Sequence, residues 1–139
     1  MKWWLNIYHN LFNIKFAIIS ALFNGIIATM VNWSYGPAEF LYAGIAQAIS
    51  SFFSTGFTAR IVQHFSPIKN PFTSYFLGSL VPATFTLILS LSAHIINQTP
   101  EIIGSCIAPV AISYSTSYVT NFITRKGYLR PTNYPISQI

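Results

Sequence analysis

Charge is what this sequence has least of. Of its 139 residues seven are Lys or Arg, two are Glu, and Asp is absent. Soluble domains are about 25% charged, so 6% argues for a lipid bilayer as the solvent. Cysteine is nearly absent as well. Cys106 stands alone, which excludes an intrachain disulfide and a cysteine-based metal centre. The three histidines, His9, His64 and His94, lie in separate segments. The sequence therefore has no histidine–carboxylate cluster for a metal, no glycine-rich phosphate loop and no paired carboxylates. Glu39 and His94 fall toward one side of the chain, but a lone pair of that kind is more often incidental than catalytic. The expectation is a protein without enzymatic chemistry, cofactor or metal.

What the sequence does have is apolar length. It is 53% hydrophobic and 17% aromatic, and residues 16–38, 40–59, 70–93 and 102–124 carry no formal charge. Each stretch reaches the roughly 20 residues that cross about 30 Å of hydrocarbon. These stretches predict an all-α integral membrane protein with transmembrane helices near 15–34, 39–60, 71–94 and 101–124. A single domain would cover residues 1–130, leaving an irregular tail at 131–139. The first helix is too long for a cleavable signal peptide, and its flank lacks a small-x-small cleavage site. At the N-terminus, Lys2, Asn6, His9 and Asn13 recur at helical spacing against Trp3, Trp4, Ile7, Tyr8, Leu11 and Phe12. That pattern predicts an interfacial helix over residues 1–14.

The few charges are sorted by side. Lys2, Lys15, Arg60, Lys69, Arg125, Lys126 and Arg130 fall in the N-terminal segment, the middle loop or the C-terminal tail. Glu39 and Glu101 fall in the other two loops. Basic residues are retained on the cytoplasmic side, so both termini are expected there. The net charge of +5 then faces anionic headgroups rather than nucleic acid.

Polarity without charge is concentrated in one place. Residues 111–122, AISYSTSYVTNF, hold seven hydroxyl side chains. A shift of 62 residues explains part of this, because it places Glu39, Ile45, Ala46, Ser51 and Thr58 on Glu101, Ile107, Ala108, Ser113 and Thr120. Ala21, Phe23 and Ile26 fall on Ala83, Phe85 and Ile88, and Ser54 on Thr116. Two similar two-helix repeats are expected, about 15–62 and 71–124, related by a pseudo-twofold axis along the membrane normal. On the second helix Gln47, Ser51, Ser54 and Thr58 form one face; on the fourth, Pro109, Ser113, Thr116 and Thr120 form its counterpart. A lone strand would leave backbone groups unpaired in lipid, so the helical reading wins.

Two roles for these stripes stay open. They can be packing surfaces, where small hydroxyl residues bring helices close. They can also be a polar path running from Glu39 and Glu101 along Gln47, Ser51, Ser54, Thr58, Ser113, Thr116 and Thr120, since long polar groups are costly in lipid. Pro82 and Pro109, inside the third and fourth helices, read as static kinks or as hinges. Asn24 and Asn32 are single polar groups of the kind that make packing bonds.

Three segments carry a resemblance to a known family. NFITRKGY, with Asn121, Phe122, Arg125, Lys126 and Tyr128, resembles the ending of the last helix in GtrA-like proteins. GFTARIVQHF, with Phe57, Arg60, His64 and Phe65, resembles the ending of their second helix. KFAIISALFNG, with Lys15, Phe16 and Asn24, resembles their first-helix start. The chain departs from the pattern at Ala59, where the family usually has Asn. The resemblance implies translocation of a polyprenyl-phosphate-linked sugar across a bacterial inner membrane, or partnership with the membrane glycosyltransferase that makes it. It implies Lys15, Arg60, Arg125 and Lys126 as the cations that meet the lipid phosphate. Four helices make a thin wall, so a closed path calls for a homo-oligomer or a partner. The alternative from a different class is a structural subunit that scaffolds a larger membrane complex.

Overall fold

The structure is a computed structural model that describes residues 14–129, with side chains as far as Lys126. Apart from Ile14, the expected interfacial helix lies outside the described residues, and so does the tail at 131–139. Four helices follow one another: α1 (Ile14–Val31), α2 (Pro37–Phe65), α3 (Pro71–Ile96) and α4 (Ile102–Leu129). A 3-10 turn, Trp33–Tyr35, joins α1 to α2. Helices α1, α3 and α4 are long and apolar enough to cross a membrane. Helix α2 is the longest at 29 residues, about 44 Å at 1.5 Å per residue, but its polar stripe dilutes its apolar character.

The helix ends have local causes. Helix α1 stops at Val31 because Asn32 turns its side-chain amide onto the Ala28 carbonyl, 2.9 Å away, alongside its own backbone N–H. Gly36, at φ +113°, makes the left-handed bend that admits Pro37 at the start of α2. Helix α2 runs past the expected residue 60 to Phe65, and it ends where Ser66 precedes Pro67. Asn70 then caps α3, accepting from the N–H groups of Phe72 at 2.9 Å and Thr73 at 3.3 Å, with Pro71 in the first helical position. Helix α3 closes in a left-handed turn at Gln98, φ +51°, with Thr99 N–H on His94 O and Gln98 N–H on Ile95 O. That double bond pattern normally recruits glycine.

The packing is inverted relative to a soluble bundle. The fully buried side chains include Gln47, Asn32, Asn121, Ser51, Ser54 and His94, beside small residues such as Ala17, Ala28 and Ala43. Phe16, Ile19, Leu22, Phe23, Ile26 and Met30 all leave more than half of their surface exposed. Large apolar groups outside and small or polar groups inside suit a lipid surround, where helices associate through close packing and hydrogen bonds. Helix α1 packs most extensively on α2, and α3 on α4; α2 also packs broadly on α3, while of the helix pairs in contact α1 and α4 touch least. Helices α1 and α2 approach tightly at Gly25 and Gly44, where a Cβ on Gly25 would stand 3.0 Å from the Gly44 carbonyl oxygen. The short connections make the bundle alternate up and down. Lys15, Arg60, Lys69, Arg125 and Lys126 therefore share one end, and Glu39 and Glu101 the other.

Candidate functional site

The two polar stripes meet very different surroundings. Between α2 and α3 the seam is closed. The Gln47 amide nitrogen donates to Ser51 Oγ at 2.7 Å and Ser90 Oγ at 3.2 Å, which turns its oxygen toward His94 Nε2, 2.8 Å away. His94 thus donates from Nε2 and accepts at Nδ1 from the Thr99 hydroxyl, 3.0 Å away. The left-handed turn at Gln98 is what folds Thr99 back over the ring. Ser50 completes the cluster, donating to the Gln47 carbonyl at 3.0 Å and lying 3.4 Å from Ser90. Every polar group here has a partner, as burial in an apolar surround demands. Lower on the same seam Phe57 meets Phe85 edge to face, with ring centroids 6.4 Å apart.

Between α1 and α4 the seam closes only at the acidic end. There the Asn32 amide donates to Ser105 Oγ at 2.8 Å, and its oxygen accepts from the Glu101 N–H at 3.0 Å. Toward the basic end the helices part around a cavity of about 680 Å³. Phe16, Ile19 and Phe23 of α1 and Ile112 and Val119 of α4 form its apolar flanks. Its floor carries Ser20 and Asn24 of α1, Ser54, Thr55 and Thr58 of α2, Thr86 of α3, and Ser113, Thr116 and Thr120 of α4. The lower halves of both stripes therefore face one space. A second groove of about 620 Å³ between α3 and α4, along Leu87, Leu91, Ile107 and Tyr114, is largely apolar.

The stripe residues are not equivalent in their burial. Ser51 and Ser54 are buried, whereas Ser113 is half-buried and Thr116 is exposed and lines the cleft. The buried face of α4 is Ser105, Pro109, Ser117, Asn121 and Arg125, turned by one position from Thr116 and Thr120. The physical cause is the asymmetry of the seams. The upper part of the α2 stripe, at Gln47 and Ser51, is covered by α3, whereas the side of α4 that carries Ser113 and Thr116 is left uncovered by α1 and lines the cavity. Asn121 sews α4 to α3, donating to the Ser74 carbonyl at 2.6 Å and pressing against Gly78. At the matching place on α2 stands Ala59, which lines the cavity.

The basic end assigns its cations unequally. Arg125 is 8% exposed and donates from Nη1 to the Ser66 and Ile68 carbonyls and from Nη2 to Lys69 O at 2.9 Å. Its fork, which the resemblance placed on a lipid phosphate, is engaged in holding the 66–69 loop. Lys126 is exposed and lies 4.2 Å above the Phe122 ring. Lys15 is exposed, and Arg60 reaches Gln63 Oε1 at 3.1 Å. At the acidic end Glu101 caps α4 through the Gly104 N–H at 3.3 Å and lies 3.5 Å from the Tyr35 hydroxyl. Glu39 sits exposed in the first turn of α2. Both carboxylates occupy helix N-termini, where the backbone dipole favours them. His94 contacts Gln47 and Thr99, away from Glu39, and among the described residues no three His, Cys, Asp or Glu side chains gather in a metal-binding cluster.

Sequence reasoning passed over Ser20 and Thr55 on the cavity floor; it read Asn24, which joins them there, as a packing group, and His94 of the closed seam only as an incidental neighbour of Glu39. The signal for His94 was available. It lies 62 residues after Asn32, and each is a wholly buried polar side chain that bonds a helix of the other half of the chain. Compared with known proteins, the chain matches no family model, no curated protein and no solved structure.

Proposed function

We propose that this protein carries a polyprenyl-phosphate-linked sugar across a bacterial inner membrane, or serves the glycosyltransferase that makes it. In this reading all four helices span the bilayer as two two-helix repeats, with both termini and the basic end in the cytoplasm. The observation that carries it is the α1–α4 cleft, which lies between two helices apolar enough to cross a membrane and is lined at its floor by hydroxyls from both stripes. A headgroup can leave water for such a floor while its prenyl tail stays between Phe16, Phe23 and Val119 and the surrounding lipid. Lys15, Arg60 and Lys126, on the end where the cleft opens, are the cations for the phosphate. Arg125 enters as the residue that fixes the loop beside them.

The repeat draws support from the crossed pair of bonds, Asn32 to Ser105 and His94 to Gln47, which exchange partners between the two halves. The cleft is open on one side, so a homo-oligomer or the glycosyltransferase would complete its wall. The scaffold reading has its own observation: in the closed seam Gln47, Ser50, Ser51 and Ser90 are spent on packing. One experiment separates the two. The protein is purified in native-lipid particles, bound lipids are identified by mass spectrometry, and a fluorescent polyprenyl-phosphate sugar is followed across reconstituted vesicles. Bound polyprenyl phosphate with protein-dependent transfer is expected. If the protein neither binds nor transfers it, the protein is a scaffold.

A further inference from the structure

We propose that the floor of the α1–α4 cleft is an acceptor surface that binds the hydroxyl-rich, uncharged headgroup of an alkyl-chain amphiphile and turns phosphate away. The proposal deepens the lipid-linked-sugar reading and rests on it for the cargo. The starting point is Asn24, which is 3% exposed and lines the cavity. Its amide nitrogen donates to Ser20 Oγ at 3.0 Å, but its Oδ1 has no hydrogen-bond partner among the described residues. A buried amide oxygen without a donor is costly, and the nearest open space is the cleft.

The hydroxyls around Asn24 point the same way chemically. A hydroxyl owns one proton, and once that is donated only lone pairs remain. Ser54 donates to the Ser51 carbonyl at 3.3 Å, Thr58 to the Ser54 carbonyl at 2.8 Å and Thr116 to the Ile112 carbonyl at 2.7 Å. Thr55 donates to Ser20 Oγ at 2.7 Å, and Thr86 to Ser113 Oγ at 2.9 Å. These five protons are directed at the protein itself, so at these five groups, as at Asn24 Oδ1, lone pairs are what the cleft receives. A ligand that satisfies these six groups must bring donors. Sugar hydroxyls do; a phosphate dianion brings only acceptors and would meet like partial charge in a low-dielectric site. The cations at the basic end suit the phosphate instead. A volume of about 680 Å³ lies within the roughly 300–1,000 Å³ of small-molecule sites.

The test uses the full chain in nanodiscs and two photoactivatable probes of equal chain length, an alkyl glucoside and an alkyl phosphate, with crosslinks mapped by mass spectrometry. The glucoside should label α1 and α4 around Ile19 and Ile112. Asn24→Ala should lower that labelling about three- to ten-fold, the worth of one hydrogen bond. Thr58→Val should lower it as well, so the test survives if Asn24→Ala folds poorly. The alkyl phosphate should label the basic end and be insensitive to both variants. Glucoside labelling that is absent or unchanged in both variants, or phosphate labelling of the cleft equal to that of glucoside, overturns the acceptor site. Normal glucoside labelling without sugar-lipid transfer refutes the transport reading and leaves this site standing.

Discussion

Replacing Arg125 separates a structural cation from a ligand-binding one. Its guanidinium makes three bonds to the Ser66, Ile68 and Lys69 carbonyls and is 8% exposed. Hydrogen bonds from a charged donor contribute about 1.5–3 kcal/mol each, but the three share one fork and are not additive. The loop lies at the end of the bundle, so its carbonyls regain water when the fork is lost. These offsets bring the cost of Arg125→Gln to about 3 kcal/mol, roughly two powers of ten in the unfolding equilibrium. Arg125→Lys keeps the charge but cannot reach three carbonyls with a compact ammonium, so it should lose about 2 kcal/mol. Lys126→Gln removes a cation over an exposed ring and should cost about 0.5 kcal/mol. Reversible unfolding in mixed micelles with rising SDS, followed by circular dichroism, measures all three. Amide hydrogen exchange at residues 66–70 should rise in both Arg125 variants. Arg125→Gln within about 0.5 kcal/mol of the parent would refute the loop-holding role and return Arg125 to the phosphate.

Three further outcomes are expected. Gln47→Leu leaves His94 Nε2 and its serine partners unmatched and should cost about 1–3 kcal/mol, with part recovered in Gln47→Leu/His94→Phe, where both sides of the bond are gone; a full-cost double variant would contradict the network. Gly44→Val drives a Cβ into the Thr29 side chain and to 3.1 Å from the Gly25 carbonyl oxygen, so it should destabilise by about 1–3 kcal/mol, and Thr29→Ala should relieve only the side-chain part of that clash. For the orientation, single cysteines at the exposed positions Tyr35 and Gln98, in a Cys106→Ser background, should react with an impermeant thiol reagent added outside intact cells, while Pro67→Cys should need permeabilisation; labelling of Pro67→Cys in intact cells would invert the topology.

Much of the architecture was legible because it depends on single residues and their neighbours in sequence. Scarce charge and long apolar runs point to helices in lipid. Asn70–Pro71 writes its own cap, and a proline two residues past Phe65 stops α2. Alternating helices sort basic from acidic residues without any knowledge of contacts. The stripes were legible as well, since a 3.6-residue period places Gln47, Ser51, Ser54 and Thr58 on one face.

What a period cannot specify is the surface that a face meets. Ser54 and Thr116 are equivalent under the 62-residue shift and both line the cleft, yet one is buried and the other exposed. Only the distance between helices decides which, and that distance is set by residues far from either: Asn121 against Gly78, Asn32 with Ser105, Gly25 against Gly44. Arg125 and Lys126 are adjacent in sequence and alike in charge, but one turns inward to loop carbonyls and the other outward over Phe122. The sequence by itself determined a helical membrane chain with two polar faces and a basic end. The tertiary structure alone decided which face is sealed, which is open, and where the hydroxyl protons go, because hydrogen bonds and packing are properties of pairs.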